Sequence, residues 1–280
     1  MFTPREILDI IELIFYVPVL FVAGYVCLKH GFQRSAGYLF LVILALLRLI
    51  GASTGIASAH NPDNTDLLTT TIICSSVGLS PLLLTLIGFT QRIHNNASGN
   101  PPIPPRFLRL VSIPIIAALI LSIVAGTDSF SSKPSDRSTA HTYAKAASLL
   151  YLVSLVLIAG ILALTLATRA RLQKTDTKLL YAGLVALPFL AIRVLFSILT
   201  AFDYKDSATF SVITDTTRAV VVQAIMSVLM EFIVVVVYLV AAIATPRLAP
   251  RDGGNYPETR FDLGSEGGRH SARRYEQEQA

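Results

Sequence analysis

RSAGYLFLVILALLRLIGASTG, residues Arg34–Gly55, is an almost unbroken apolar run with one arginine, Arg48, near its middle. As a helix rising ~1.5 Å per residue it is long enough to cross a hydrocarbon core of ~30 Å. An arginine at that depth costs roughly 2.5–3.5 kcal/mol on insertion scales, so the rest of the molecule must compensate it. Gly51, Ala52 and Gly55 follow Arg48 on the same helix face. Gly51 and Gly55 also form a G-x-x-x-G pair, which permits close helix contact. Arg48 is therefore expected to point into a helix bundle and away from lipid.

Composition extends this reading to the whole chain. The 280 residues are 53% hydrophobic and only 15% charged, and the mean hydropathy is +0.61. The charged share is well below the ~25% of ordinary soluble domains. The apolar residues fall in blocks of ~20, which marks membrane spans and not the amphipathic stripes of a soluble core. Seven blocks can be delimited: Ile7–Leu28, Ala36–Ala57, Leu67–Phe89, Phe107–Ala125, Ala144–Ala167, Leu179–Ala201 and Ala219–Ala244. Pro18, Pro81, Pro114 and Pro188 lie within them; a bundle tolerates such prolines because neighbours re-satisfy the freed carbonyls. The expected architecture is an all-α, polytopic seven-transmembrane-helix bundle over residues 1–244. Residues 245–280 are charged, Gly-rich and nearly free of aliphatics, the composition of a disordered tail.

Charge sets the expected orientation. The odd-numbered loops and the start of the tail carry eleven Lys and Arg (29, 34, 92, 106, 109, 169, 171, 174, 178, 247, 251), and the opposite side six (5, 133, 137, 145, 205, 218). The positive-inside rule then places the C-terminus and tail in the cytoplasm and the N-terminus outside or in a lumen. The N-terminus carries acids at Glu6, Asp9 and Glu12, unlike the basic start of a cleaved signal, and the first span is read as retained. The Asn96-Ala97-Ser98 glycosylation pattern falls on the expected cytoplasmic side and is read as unused. The net charge of +5 reflects basic loops; no basic patch interleaved with aromatics points to nucleic acid. Cys27 and Cys74 belong toward opposite membrane faces, so no disulfide is expected between them.

Five ionisable residues lie within or just inside the spans: Asp9, Glu12, Arg48, Arg193 and Glu231. Intramembrane charges mark sites, and each calls for a partner. Asp9, Glu12 and Tyr16 share a face of the first span. Gln223, Ser227, Glu231 and Tyr238 form a polar stripe on the last, and Ser197 and Thr200 follow Arg193 along the sixth. Counting inward from the outer ends at ~1.5 Å per residue places Arg48 and Arg193 at ~12–14 Å, Glu12 at ~8 Å and Glu231 at ~20 Å. Given the reach of an arginine stem, Arg48 and Arg193 are expected to pair with Glu12, Asp9 or Glu231 in the outer half of the bundle. Two roles fit such a cluster: a lock that gives register without net stability, or the lining of a ligand or ion cavity. Asp9 is near enough to the interface to be simply solvated. The hydroxyl stripes of the third span (Ser76, Ser80, with Cys74) and the fifth (Ser148, Tyr151, Ser154) are expected to bond their own helix or a neighbour.

Four segments resemble a family of fungal seven-helix integral membrane proteins defined only as a domain of unknown function. They are HGFQRSAGYLFLVILALLRLIGA from His30, GLSPLLLTLIGF from Gly78, PFLAIRVLFSILTAF from Pro188 and VLMEFIVVVVYLVA from Val228. The resemblance covers about Ile7–Ala244, includes Arg48, Arg193 and Glu231, and implies a fold but no activity. Fungal lipid-translocating exporters and receptor-type seven-helix proteins are similar in helix count and orientation only. A retinal protein would need a lysine in the last span, where Glu231 is the central ionisable residue. A rhodopsin-like receptor would close its third span on an acidic-Arg-Tyr triplet; here Thr90, Gln91 and Arg92 stand there.

No nucleophile with a base, metal-ligand spacing or phosphate-binding motif is visible, so the chain is expected to be neither an enzyme nor a cofactor carrier. The functional expectation is a receptor-like or scaffolding membrane protein. Its partners would be membrane lipid, a cytoplasmic protein at the tail and an unidentified small molecule. The alternative is a transporter or lipid translocator using the charged cluster as its substrate site. Against that stands the lack of an inverted repeat or of helices broken at corresponding positions.

Overall fold

A computed structural model describes residues 3–30, 36–61, 64–96, 105–130, 133–168, 177–202 and 216–246. The expected tail from 247 on, the loop at 169–176, the aspartates of 203–215 and the sequon's Ala97 and Ser98 lie outside the described residues. Every described element is helical: α1 Pro4–His30, α2 Ala36–His60, α3 Thr65–Val77, α4 Leu79–Asn96, α5 Pro105–Asp128, α6 Pro134–Ala167 and α7 Thr177–Phe202. The last span is α8 Thr217–Gln223, a π-helical turn Ala224–Leu229 and α9 Met230–Ala244. Together they make seven helices long and apolar enough to cross a membrane, α3 and α4 counting as one span and α8 to α9 as another.

These helices extend beyond the apolar blocks. The largest extension is at α6, which begins ten residues before Ala144 with Pro134 in its first turn and Asp136 close behind. Proline lacks only an N–H that the first turn leaves unpaired anyway, and an early acid suits the positive end of the helix. At the N-terminus of α1, Thr3 and Glu6 form a capping box: the Thr3 N–H donates to Glu6 Oε2 at 2.6 Å and the Glu6 N–H to Thr3 Oγ1 at 3.2 Å.

The third span is the centre of the bundle. Two-thirds of its apolar window is buried (67%), against 28–39% for the other six. The other six spans, with α3, form a ring around its second half, α4. α1 packs on α2, α2 on α3, α3 on α5, α5 on α6, α6 on α7, α7 on α9 and α9 back on α1. α3 itself belongs to that ring, whereas α4 runs inside it against α2, α5, α6 and α7. The chain passes from ring to centre at Gly78, between α3 and α4. Pro81 supplies the local cause. It has no N–H to give the Val77 carbonyl, and the Ser80 hydroxyl donates to that carbonyl instead, at 2.7 Å.

Inside and outside are reversed relative to a soluble protein. Ile14 is 70% and Phe21 72% exposed, among a belt of exposed Leu, Ile and Val on the six spans other than the third. The interior is divided along its length. Around α4 it is apolar, built on Leu79, Leu82, Leu83, Leu86, Phe89 and Ile93 with Leu41, Leu44, Leu190 and Val235. Toward the other end it is polar and charged. The two ends differ equally at the surface. Among the described residues, every Asp and Glu lies in the polar half or at that end; the opposite end carries Lys29, Arg92, Arg109 and Lys178 and no acid.

Candidate functional site: a buried four-charge cluster

Four spans bring Glu12, Arg48, Arg193 and Glu231 together. Each of the four is at most 5% exposed. Glu231 is the hub. The Arg48 guanidinium grips it as a fork, with Nε donating to Oε1 at 2.6 Å and Nη2 to Oε2. The Tyr16 hydroxyl donates to the same Oε1 at 2.6 Å. Arg193 Nε lies 3.5 Å from Oε2, a charge contact and not a well-formed hydrogen bond. Glu12 takes the outer side of Arg48, accepting from Nη1 at 3.4 Å. Two bases and two acids thus balance, with the bidentate pair at the centre. Arginine suits that place because its planar fork matches a carboxylate edge to edge.

Each side chain owes its position to a local feature of sequence. Glu12 and Tyr16 are one turn apart on α1, Glu12 accepting from the Arg48 guanidinium and Tyr16 donating to Glu231. Glu231 follows the π-helical turn Ala224–Leu229 by two residues, and such turns recur at functional sites. Arg193 sits five residues beyond Pro188 on α7. Its Nη2 donates to the Ser75 carbonyl at 3.2 Å, in the last turn of α3, where carbonyls have no partner within the helix. Gly78 matters for space: a Cβ there would stand 3.1 Å from Arg48 Nη2 and 3.3 Å from Nε. The break in the third span therefore provides a carbonyl for one arginine and clearance for the other.

The G-x-x-x-G face of α2 serves two neighbours. A Cβ on Gly51 would meet Cys74 Cβ of α3 at 2.8 Å, and one on Gly55 would collide with the Asp9 carboxylate of α1. Asp9 is 9% exposed, so it sits in the Gly55 recess and not in open solvent as its interfacial position had suggested. Beside the four-charge cluster lies a cavity of about 10 Å³, lined by Arg5, Asp9, Glu12, Arg48, Thr71, Cys74, Ser75 and Gln223, with Leu47, Gly51 and Ala52. That is room for about one water molecule. On the other side Phe232 stacks on Phe15, with ring centroids 3.7 Å apart and planes 14° from parallel, and Tyr16 meets Phe232 edge-on at 5.5 Å. An aromatic wall thus separates Glu231 from the surroundings.

The polar stripe of the last span divides. Gln223 lines the cavity, and Ser227 is buried within the π-helical turn. Tyr238 stays apart from the cluster; its ring packs on Phe89 at 5.2 Å in an aromatic group that includes Tyr38. The serines of the fifth span's stripe bond their own helix, Ser148 to the Lys145 carbonyl and Ser154 to that of Leu150. Cys27 and Cys74 are both free and buried. Among the described residues no group of three His, Cys, Asp or Glu side chains is arranged to hold a metal ion. Sequence reasoning did not anticipate the roles of Ser75, Thr71 and Arg5. Ser75 acts through its backbone, and only Gly78 and Pro81 nearby signal that its carbonyl is available.

No match was found among curated proteins or among solved structures. One family model matches residues 2–247, the whole helical region with all four charges of the cluster. The chain belongs to the family defined by the domain of unknown function DUF7702.

Proposed function

We propose that this is a multi-pass membrane protein of receptor-like or scaffolding kind, whose Glu12–Arg48–Glu231–Arg193 cluster locks the helices that carry it. The observation behind this reading is the saturation of Glu231. Arg48 and Tyr16 hydrogen-bond it and Arg193 stands beside it, and the adjoining cavity has room for about one water. The N-terminus is outside or lumenal and the C-terminus cytoplasmic; support comes from the end that carries Lys29, Arg92, Arg109 and Lys178 and no described acid. The tail, 245–280, then offers a cytoplasmic contact surface for a protein partner, and the chain carries no catalysis of its own. Its likeness to fungal membrane proteins gives the expected source.

The test is a neutralisation cycle on the purified bundle. Arg48→Gln and Glu231→Gln each leave a buried charge without its main partner and lower the unfolding midpoint strongly. The double variant removes both charges and regains much of the loss, since a well-packed neutral pair is often no worse than a buried ion pair. A simple exchange of the two charges is a poorer test, because it would set an arginine beside Arg193 and a carboxylate beside Glu12. Additive losses in the double variant would overturn the lock.

The transporter reading has its own support. Two of the spans around the cluster are interrupted, one at Gly78 and the other at Ala224–Leu229, and interrupted helices are a common way to build midplane sites. If the folded double variant abolishes flux of a lipid or organic anion that the wild type carries in proteoliposomes, this reading replaces the first.

A further inference from the structure

We infer that the acid-free end of the bundle holds an anionic glycerophospholipid, with its headgroup on Lys29 and Lys178 and an acyl chain along the last span. The inference rests on the membrane reading, which alkaline extraction of the wild-type chain from membranes tests separately.

The observation is a convergence of cations on one helix end. Lys29 Nζ, from α1, donates to the Ile243 carbonyl at 3.5 Å, and Lys178 Nζ, from α7, donates to the Ala244 carbonyl at 3.5 Å. Arg92, from α4, donates to the Pro246 carbonyl at 2.8 Å and to the Tyr38 hydroxyl at 3.1 Å. Three full positive charges thus meet the roughly half negative charge of a helix C-terminus. No Asp or Glu lies at this end among the described residues. The two ammonium groups sit on successive carbonyls at the outer limit of hydrogen bonding, which leaves donors on each for a further acceptor.

What lies beneath them is apolar and open. α1 and α7 both pack on α9, and between them the last span exposes Val236, Val240 and Ile243, at helical spacing on one face. Leu28 beside Lys29 and Tyr181 one turn from Lys178 flank this stripe and are exposed too. An ammonium pair at the head of an exposed aliphatic stripe matches a phosphate ester joined to an acyl chain. A phosphatidylcholine would bring its own cation to the same place, so the site discriminates by headgroup charge.

The test uses the full chain in mild detergent with equimolar phosphatidylserine and phosphatidylcholine, and native mass spectrometry to count bound lipid. About fivefold preference per surface ammonium gives a preference for the serine lipid on the order of 30-fold. Lys29→Gln/Lys178→Gln brings the two lipids to parity, and Lys29→Arg/Lys178→Arg keeps the preference. Lys133→Gln/Arg137→Gln, at the opposite end, leaves it unchanged. A wild-type chain without preference overturns the inference. So does an equal loss in the Lys133/Arg137 variant, which would mean net charge alone. Displacement of the lipid by millimolar glycerophosphoserine would also overturn it, since the site would then read a free phosphate ester. If the glutamine pair fails to fold by circular dichroism, the arginine pair decides: loss of preference in a folded arginine variant overturns the proposal.

Discussion

The two ends of the bundle carry charge in opposite ways. In the polar half, Glu12, Arg48, Arg193 and Glu231 are buried, balanced two against two, and fixed by a hydroxyl and a backbone carbonyl. At the acid-free end, Lys178 is exposed and Lys29 half-buried, each on a single long bond to a carbonyl. A charge in the first region has given up its water, so what it touches decides its energy. A charge in the second has kept water or headgroups, so its position matters more than its partner. Burial, not the number of contacts, therefore ranks the residues of this protein.

The largest effect should come from breaking the first region at its hub. Arg48→Ala leaves Glu231 with Tyr16 and the 3.5 Å contact to Arg193, and takes from Glu12 the guanidinium that donates to it. Removing one partner of a buried pair typically costs about 3–5 kcal/mol. Detergent unfolding followed by circular dichroism should show a loss of that size, and a loss under about 1 kcal/mol would mean that water reaches the cluster. Tyr16→Phe is gentler. It removes one hydrogen bond to a charged acceptor while keeping the ring against Phe232, for about 1.5–3 kcal/mol. The same unfolding measurement tests it, and the ratio of the two losses shows how far Glu231 depends on its arginine.

This ranking explains what could be read from the sequence. The seven spans were legible because lipid imposes length and composition on each one separately. The identities of the buried charges were legible for the same reason: an arginine or glutamate in an apolar block stands out. Depth was less so. Measured from the apolar limit at Ala57, Arg48 falls well short of Glu231. The helix continues to His60, and at ~1.5 Å per residue Arg48 is then ~18 Å and Glu231 ~21 Å from their helix ends. The apolar limit therefore underestimates how far a span extends into polar surroundings. The broken third span was hidden for another reason. Pro81 resembles Pro18, Pro114 and Pro188 in the sequence, yet those three lie within continuous helices. Only Gly78 three residues earlier distinguishes it, and its value lies in the clearance it gives an arginine on another helix. Such long-range demands leave no trace in local pattern. Thr3 and Glu6 are the reverse case, a wholly local capping box closed within three residues.

The smallest effect should come from the second region, where it completes the contrast. Lys178→Gln removes one charge from an exposed ammonium that holds a carbonyl at 3.5 Å. Surface changes of this kind usually stay within about 0.5 kcal/mol, so the unfolding midpoint in neutral detergent should hardly move. The same substitution weakens the positive bias of its end, since one of the cations there is lost and orientation follows the Lys and Arg near the span ends. Protease protection of a tag at the C-terminus, in sealed vesicles, should therefore report a larger fraction of inverted chains when Lys178→Gln is joined to Lys29→Gln. A large fall in midpoint with unchanged orientation would reverse the assignment. These lysines would then hold the helix end as Arg48 holds Glu231, and the two regions would differ in depth alone.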